Sequence, residues 1–107
     1  VFSLPLHTLF EEIPRIAQLA KRYKLPTMHC NKAFVPAGGL MFYGVDYFDQ
    51  HRRMAAYVDK ILRGAKPAEL PVEQPARFEF HINRMTAEQL GLKLSPVVLM
   101  RANKIIE

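Results

Sequence analysis

The chain has 107 residues, half of them apolar and 23% charged, which limits it to one domain or a piece of a larger one and argues against disorder. No stretch approaches the roughly 18 consecutive apolar residues that a membrane-spanning helix needs. The net charge of +5 comes from 15 Lys and Arg against 10 Asp and Glu, but the basic residues are scattered and form no basic strip interleaved with aromatics, which argues against a nucleic-acid partner.

The chain begins at Val1 rather than Met, which reads as a processed or partial chain, and Val1-Phe2 as the tail of a strand. Over residues 8–23, Leu9, Ile13, Ile16, Ala17 and Ala20 recur at three- and four-residue spacing and predict one helix with an apolar stripe. Pro14 lies inside that pattern. Lacking an amide and crowding the preceding turn, it must either kink the helix or mark its true start. "KLPTMHC" (residues 24–30) reads as a short buried strand, giving the helix-then-strand order of α/β layering.

Gly38-Gly39 predicts a tight turn before a short apolar strand. Asp46 then offers an N-cap to a helix whose inward face would be Tyr47, His51, Met54, Ala55, Val58, Ile61 and Leu62. Gly64 supplies a left-handed stop and Pro67 forbids continuation. Pro67, Pro71 and Pro75 make "KPAELPVEQP" an extended connector. "RFEFHIN" (residues 77–83) alternates strictly, with Phe78, Phe80 and Ile82 on one face of a half-buried strand. Thr86 and Gln89 have capping-box spacing for a short helix ended by Gly91, and Ser95-Pro96 opens a last helix to about residue 106.

Little in this chain predicts chemistry. The four histidines have no second His or Cys at metal-ligand spacing; His29 and Cys30, being adjacent, would point to opposite faces of a strand. Neither a metal nor a cofactor is expected. Cys30 is the single cysteine, so no internal disulfide is possible. Ser3, Ser95 and Cys30 lack the surroundings of an activated nucleophile, and no enzymatic activity is expected. "GGLMFYG" matches neither a dinucleotide fingerprint nor a P-loop. Its structural role is a turn feeding a strand. Tyr43-Gly44-Val45-Asp46, however, runs from a strand end into a helix N-terminus, where ligands collect in α/β folds. The residue types leave two roles open for Asp46, ligand contact and helix cap.

The order of these pieces resembles the C-terminal third of a family of ABC-transporter substrate-binding proteins that includes tryptophan-type receptors. The resemblance extends over essentially the whole chain, and "AGGLMFYG", "YVDKILRGAKPAELPVEQPARFEF" and "IN…TAEQLGL" carry it in the family's order and spacing. It implies an α/β, periplasmic-binding-protein-like (type I) fold of two three-layer α/β/α lobes, of which this chain would be a C-terminal fragment. Residues 1–42 and 75–107 would belong to the C-terminal lobe, and a helix at about 46–66 to the N-terminal lobe.

The implied function is that of a non-enzymatic receptor outside the cytoplasmic membrane. It captures a small, possibly amino-acid-like molecule between lobes that close like a hinge, and delivers it to an ABC permease. Its cleft-facing loops would hold Pro5, Leu6 and His7 and, on the other side, Tyr43, Gly44 and Asp46. Phe42, Gly44, Pro71 and Pro75 would lie at the crossovers. Leu6 stands where many relatives carry Asp or Asn, so position rather than ligand identity carries over. A ligand-sensing or interaction module of a signalling protein could reuse the same fold. Sheets deprived of their partner lobe would expose apolar faces, and the isolated chain is expected to self-associate.

Overall fold

A computed structural model describes residues 1–3 and 7–107, with His7 described by its backbone alone. The described residues form an α/β arrangement in the order β1 (Phe2–Ser3), α1 (His7–Glu11), α2 (Ile13–Arg22), β2 (Met28–His29), β3 (Met41–Val45), α3 (Tyr47–Leu62), β4 (Phe78–Asn83), α4 (Arg84–Gln89), α5 (Pro96–Arg101) and β5 (Lys104–Ile106). Short 3-10 turns at Lys32–Phe34 and Pro67–Glu69 punctuate the connections. The strands lie side by side in chain order, β1-β2-β3-β4-β5.

β1, β2 and β3 are mutually parallel, with Ser3 beside His29 and His29 beside Phe42, and β4 and β5 are parallel to each other. Between β3 and β4 the direction reverses: Asn83 N–H donates to Leu40 O at 2.9 Å, and Asp46 N–H donates to Arg77 O at 3.0 Å. The chain groups into two compact units, Val1–Gly44 with Glu79–Glu107, and Val45–Phe78.

In the first unit, Ile13 and Ala17 of α2 pack on Phe34, with Phe10, Ile16 and Ala37 at the edge of the cluster. Pro14 proves to mark a start: α1 ends at Glu11, and α2 begins at Ile13 with the proline in its first turn, where its missing amide costs nothing. The expected continuous helix over 8–23 is therefore two. The strand expected over 24–30 shrinks to Met28–His29. Lys24 adopts a left-handed φ of 51° just past α2, and Leu25 N–H returns to Ala20 O at 2.8 Å, so this stretch is spent closing the helix rather than extending a strand.

β4 is buried on both faces at its end, Ile82 on one and His81 and Asn83 on the other, where His81 meets the Phe42 ring at 5.1 Å and Asn83 Nδ2 donates to Val35 O at 3.0 Å. The strict alternation had predicted one solvated face. Asn83, not Thr86, caps α4: its Oδ1 accepts from Thr86 N–H at 2.9 Å. The last helix stops at Arg101, and Lys104–Ile106 forms a strand instead. Asn103 effects the change, since its N–H donates to Phe80 O at 2.8 Å and its Oδ1 accepts from Phe80 N–H at 2.7 Å. The two following isoleucines suit a strand better than a helix.

In the second unit, Asp46 caps α3, its Oδ1 accepting from Phe48 N–H at 3.0 Å and Asp49 N–H at 3.2 Å. Gly64, at a φ of 104°, ends it as expected. The face predicted to point inward does not. Tyr47, His51, Met54, Ala55, Val58, Ile61 and Leu62 are all exposed, Leu62 at 81%. This unit contains only α3 and the proline-rich connector, so no second apolar layer within it can cover the stripe.

Its buried residue is instead Asp49, which takes Arg52 at 2.8 Å and Arg53 at 3.1 Å; Arg53 also reaches Glu73 of the connector at 3.2 Å. The hydrogen bond from Arg52, aided by Arg53, holds the Asp49 carboxyl below its ordinary value against the opposing effect of desolvation. The Tyr57 hydroxyl donates to Pro71 O and fastens the connector further along. Among the described residues no helix is long and apolar enough to cross a membrane.

Candidate functional site

Because β1, β2 and β3 are parallel and in close register, their carboxyl ends emerge at one edge of the sheet. In open α/β sheets that edge is where ligands bind, since loops leaving successive strands can be shaped there without disturbing the sheet. The residues at this edge are Ser3, then His29, Cys30 and Asn31, then Tyr43 and Gly44.

Tyr43 is half exposed, and its ring meets Phe80 edge-on at 6.3 Å. Gly44 is required by crowding: a Cβ there would lie 2.8 Å from the Phe42 ring and 3.0 Å from Cys30 O. The β2 and β3 ends thus approach more closely than any other residue type at position 44 allows. Phe42 is fully buried, packed edge-on against His81 at 5.1 Å. Burial, reinforced by Lys104 and Lys32 and opposed by Glu79, lowers the pKa of His81 from 6.5.

Of the residues proposed from sequence, Tyr43 and Gly44 stand at this edge. Asp46 lies in the other compact unit, where Oδ1 is committed to the α3 cap. Pro5 and Leu6 fall outside the described residues, as does the side chain of His7. Of the crossover residues, Phe42 is a core side chain, Pro71 accepts the Tyr57 hydroxyl and Pro75 is half-buried. The chain passes between the two compact units at Gly44-Val45 and at Phe78-Glu79.

Sequence reasoning missed this group: it weighed His29 and Cys30 as metal ligands, Cys30 also as a nucleophile, and did not single out Asn31. Their signal was position: they follow β2 as Tyr43 and Gly44 close β3. His29 is completely buried, stacked on Phe34 at 4.8 Å and 22°, and its Nδ1 accepts from Asn31 N–H at 2.8 Å. Desolvation alone lowers its pKa from 6.5. Its Nε2 and Ser3 Oγ, neighbours across the β1–β2 register, are buried with no hydrogen-bond partner among the described residues.

No group of three His, Cys, Asp or Glu side chains among the described residues is arranged to hold a metal. The second unit carries a separate groove of about 400 Å³ between α3 and the connector, lined by Met54, Tyr57, Ile61, Leu70 and Pro71 among others. Its wall is the apolar stripe left uncovered on α3.

A parallel three-strand edge, a reversal into β4 and a helical excursion between them define an α/β fold of the periplasmic-binding-protein type. The family described as "ABC transporter substrate binding protein" matches residues 3–106, and the chain belongs to that family.

Solved structures agree. A conserved domain protein from Vibrio cholerae shares 30% identity at a TM-score of 0.88, covering 97% of this chain and 35% of that one. An ABC domain from Streptococcus pneumoniae, solved in complex with L-Trp, shares 27% identity at a TM-score of 0.85, covering 98% and 36%. A ligand-free, open substrate-binding protein with adhesive properties from Clostridium difficile, at 17% identity, a TM-score of 0.70 and coverage of 98% and 35%, shares the fold. The chain therefore spans about a third of the length of the structures it resembles. A search of curated proteins returned no match.

Proposed function

We propose that this chain is part of the extracytoplasmic solute receptor of an ABC import system, holding one wall of the ligand site at the carboxyl ends of β1, β2 and β3. The family match over residues 3–106 carries this reading. Likeness to a domain solved with L-Trp favours a small, amino-acid-like ligand. The ligand would lie against Tyr43, Gly44 and the loop of Pro5, Leu6 and His7, with Asp46 setting the start of α3 beside it. The two passages between compact units, at Gly44-Val45 and Phe78-Glu79, support a hinge at the crossovers, with Phe42, Pro71 and Pro75 as its anchored flanks. The receptor works by capture and closure, with no catalytic step, on the periplasmic or extracellular face of the membrane, and hands its ligand to an ABC permease.

The test is thermal denaturation of the gene's full-length product with amino acids, L-tryptophan first. A ligand that binds only the folded state at about 100 times its Kd adds about 2.7 kcal/mol of stability. Absence of stabilisation by any small solute, with no export signal and no neighbouring permease gene, sinks the import reading. An export-signal-free product fused to a signalling domain favours a sensory module.

The same reading bears on the isolated 107-residue chain. Met54, Val58 and Leu62 on α3, and Val1 and Phe2 at the start of the chain, are exposed, and exposed apolar faces of this kind drive association. Gel filtration is expected to show species larger than the monomer. Elution as a clean monomer of 12.3 kDa at high micromolar concentration counts against it.

A further inference from the structure

The end of β2 is held by a closed set of contacts that turns on one atom. Nδ1 of His29 accepts the Asn31 N–H at 2.8 Å, so that nitrogen carries a lone pair and the neutral ring bears its proton on Nε2. Asn31 passes the constraint on: its Oδ1 accepts from Ala33 N–H at 2.9 Å and its carbonyl from Phe34 N–H at 3.1 Å. Phe34 then stacks back on the imidazole at 4.8 Å. Between His29 and Asn31, Cys30 presents its carbonyl to Gly44 at the end of β3.

Among the described residues, the groups around His29 are Ser3 from β1, Phe10 from α1 at 6.2 Å, Phe42 from β3, Phe34 and Cys30, all neutral. Among the described residues burial is the cause that lowers its pKa.

We propose that His29 is the positioning residue of this strand end: its neutral Nδ1 holds the Asn31 turn in place, and a proton on that atom releases it. Protonation converts the acceptor into a donor facing another donor, and sets a charge among aromatic rings with no counter-ion among the described residues. The turn is therefore held at neutral and alkaline pH and let go on acidification. The consequence for ligand capture rests on the proposed solute-binding role of this edge; the positioning itself does not.

The sign follows from burial. The folded pKa lies below the unfolded 6.5, so the contribution is complete above 6.5 and is lost progressively as pH falls from there toward the lowered folded value. Each such histidine costs up to about tenfold in the folded-to-unfolded ratio per pH unit in that window. His81 shares the direction and adds its own step. Asp49, lowered from 3.8, titrates in a separate, more acidic window.

The experiment is nitrogen-15 NMR and denaturant unfolding of the gene's full-length product between pH 8 and 5, on wild type, His29→Asn and His29→Phe. Asn supplies an acceptor near Nδ1 with no titrating proton, and Phe keeps a ring without the acceptor. Wild type is expected to show an unprotonated Nδ1, and an Asn31 amide whose exchange protection falls with pH. His29→Asn should keep Asn31 protected across the range and remove about tenfold per pH unit of acid sensitivity, leaving the part due to His81. His29→Phe should leave Asn31 unprotected at every pH.

A proton on Nδ1 at pH 8, or an acid step in His29→Asn equal to that of wild type, overturns the proposal. The first of these is read on wild type alone, so a variant that fails to fold does not shield it. L-tryptophan binding to the same product provides a separate arm. If Asn31 behaves as described while binding is insensitive to pH, the positioning stands and the strand end is not the ligand wall.

Discussion

Replacing Gly39 with alanine is expected to destabilise the chain by about 3 kcal/mol. A Cβ at Gly39 would lie 2.1 and 2.2 Å from two carbons of the Phe34 ring and 2.7 Å from Phe34 O. None of these atoms can retreat cheaply. The ring is 1% exposed, stacked on His29 and packed against Ile13 and Ala17, and the carbonyl is tied to Gly39's own N–H at 2.9 Å. Overpacking costs about 1–3 kcal/mol where neighbours can adjust. Expelling the ring, the alternative, costs about what deleting a buried Phe does, roughly 3–5 kcal/mol. The lesser of these sets the outcome, and a loss of about 3 kcal/mol lowers the Tm of a domain this size by more than about 10 °C.

Gly38 is the internal control. At a φ of 103° with nothing within 4 Å of its would-be Cβ, it pays only the left-handed penalty, about 1–2 kcal/mol on substitution to Ala. A double-mutant cycle with Phe34→Ala isolates the clash, because Gly39→Ala should cost far less once the ring is gone. A Gly39→Ala variant that melts within about 1 kcal/mol of wild type would show that the helix–turn cluster is much softer than its packing implies.

The adjacent glycines also show what a sequence can and cannot reveal. Gly38-Gly39 was legible as a turn, and Gly38 makes that turn. That Gly39 is there for Phe34 was not legible, because close approach depends on where a side chain five residues earlier comes to rest. Local signals survived well: the Asp46 cap, the Gly64 stop and the Ser95 cap each act within one helical turn. Signals that needed a partner from far along the chain were misread. The strand character of residues 104–106 comes from pairing with β4, and the burial of His81 and Asn83 from Phe42 and Val35, far earlier in the chain.

The α3 stripe is the reverse case, since periodicity specifies an apolar face but not the layer that covers it. At the candidate site, Tyr43 and Gly44 were legible from strand-end position and from family resemblance. His29 and Asn31 were not, because their importance lies in a hydrogen bond and a buried ring stack that residue types alone do not announce.

Asn83 joins three segments through one side chain, and removing it is expected to cost about 1.5–2.5 kcal/mol. Its Nδ2 donates to Val35 O at 3.0 Å and its Oδ1 accepts from Thr86 N–H at 2.9 Å, while Thr86 Oγ1 donates to Gly38 O at 3.1 Å. The end of β4, the first turn of α4 and the turn before β3 are therefore pinned together in a buried setting. Asn83→Ala loses the cap, worth about 1 kcal/mol, and one of the two donors to the buried Val35 carbonyl, which keeps the Gly38 N–H at 3.1 Å, at about 0.5–1.5 kcal/mol more.

Asn83→Asp separates the two roles. The introduced carboxylate keeps the cap to Thr86 but faces the Val35 carbonyl with an acceptor, so at pH 7 it should be at least as unstable as Asn83→Ala. Acidification protonates it, and the resulting O–H can donate to Val35 O. Stability measured relative to Asn83→Ala at the same pH should then rise as pH falls through the raised pKa of that buried acid. Comparison at equal pH cancels the loss due to His29 and His81, which is common to both variants. Denaturant unfolding at pH 7 and pH 5 reads the difference, and parallel pH profiles for the two variants would mean that the bond to Val35 contributes nothing beyond the cap.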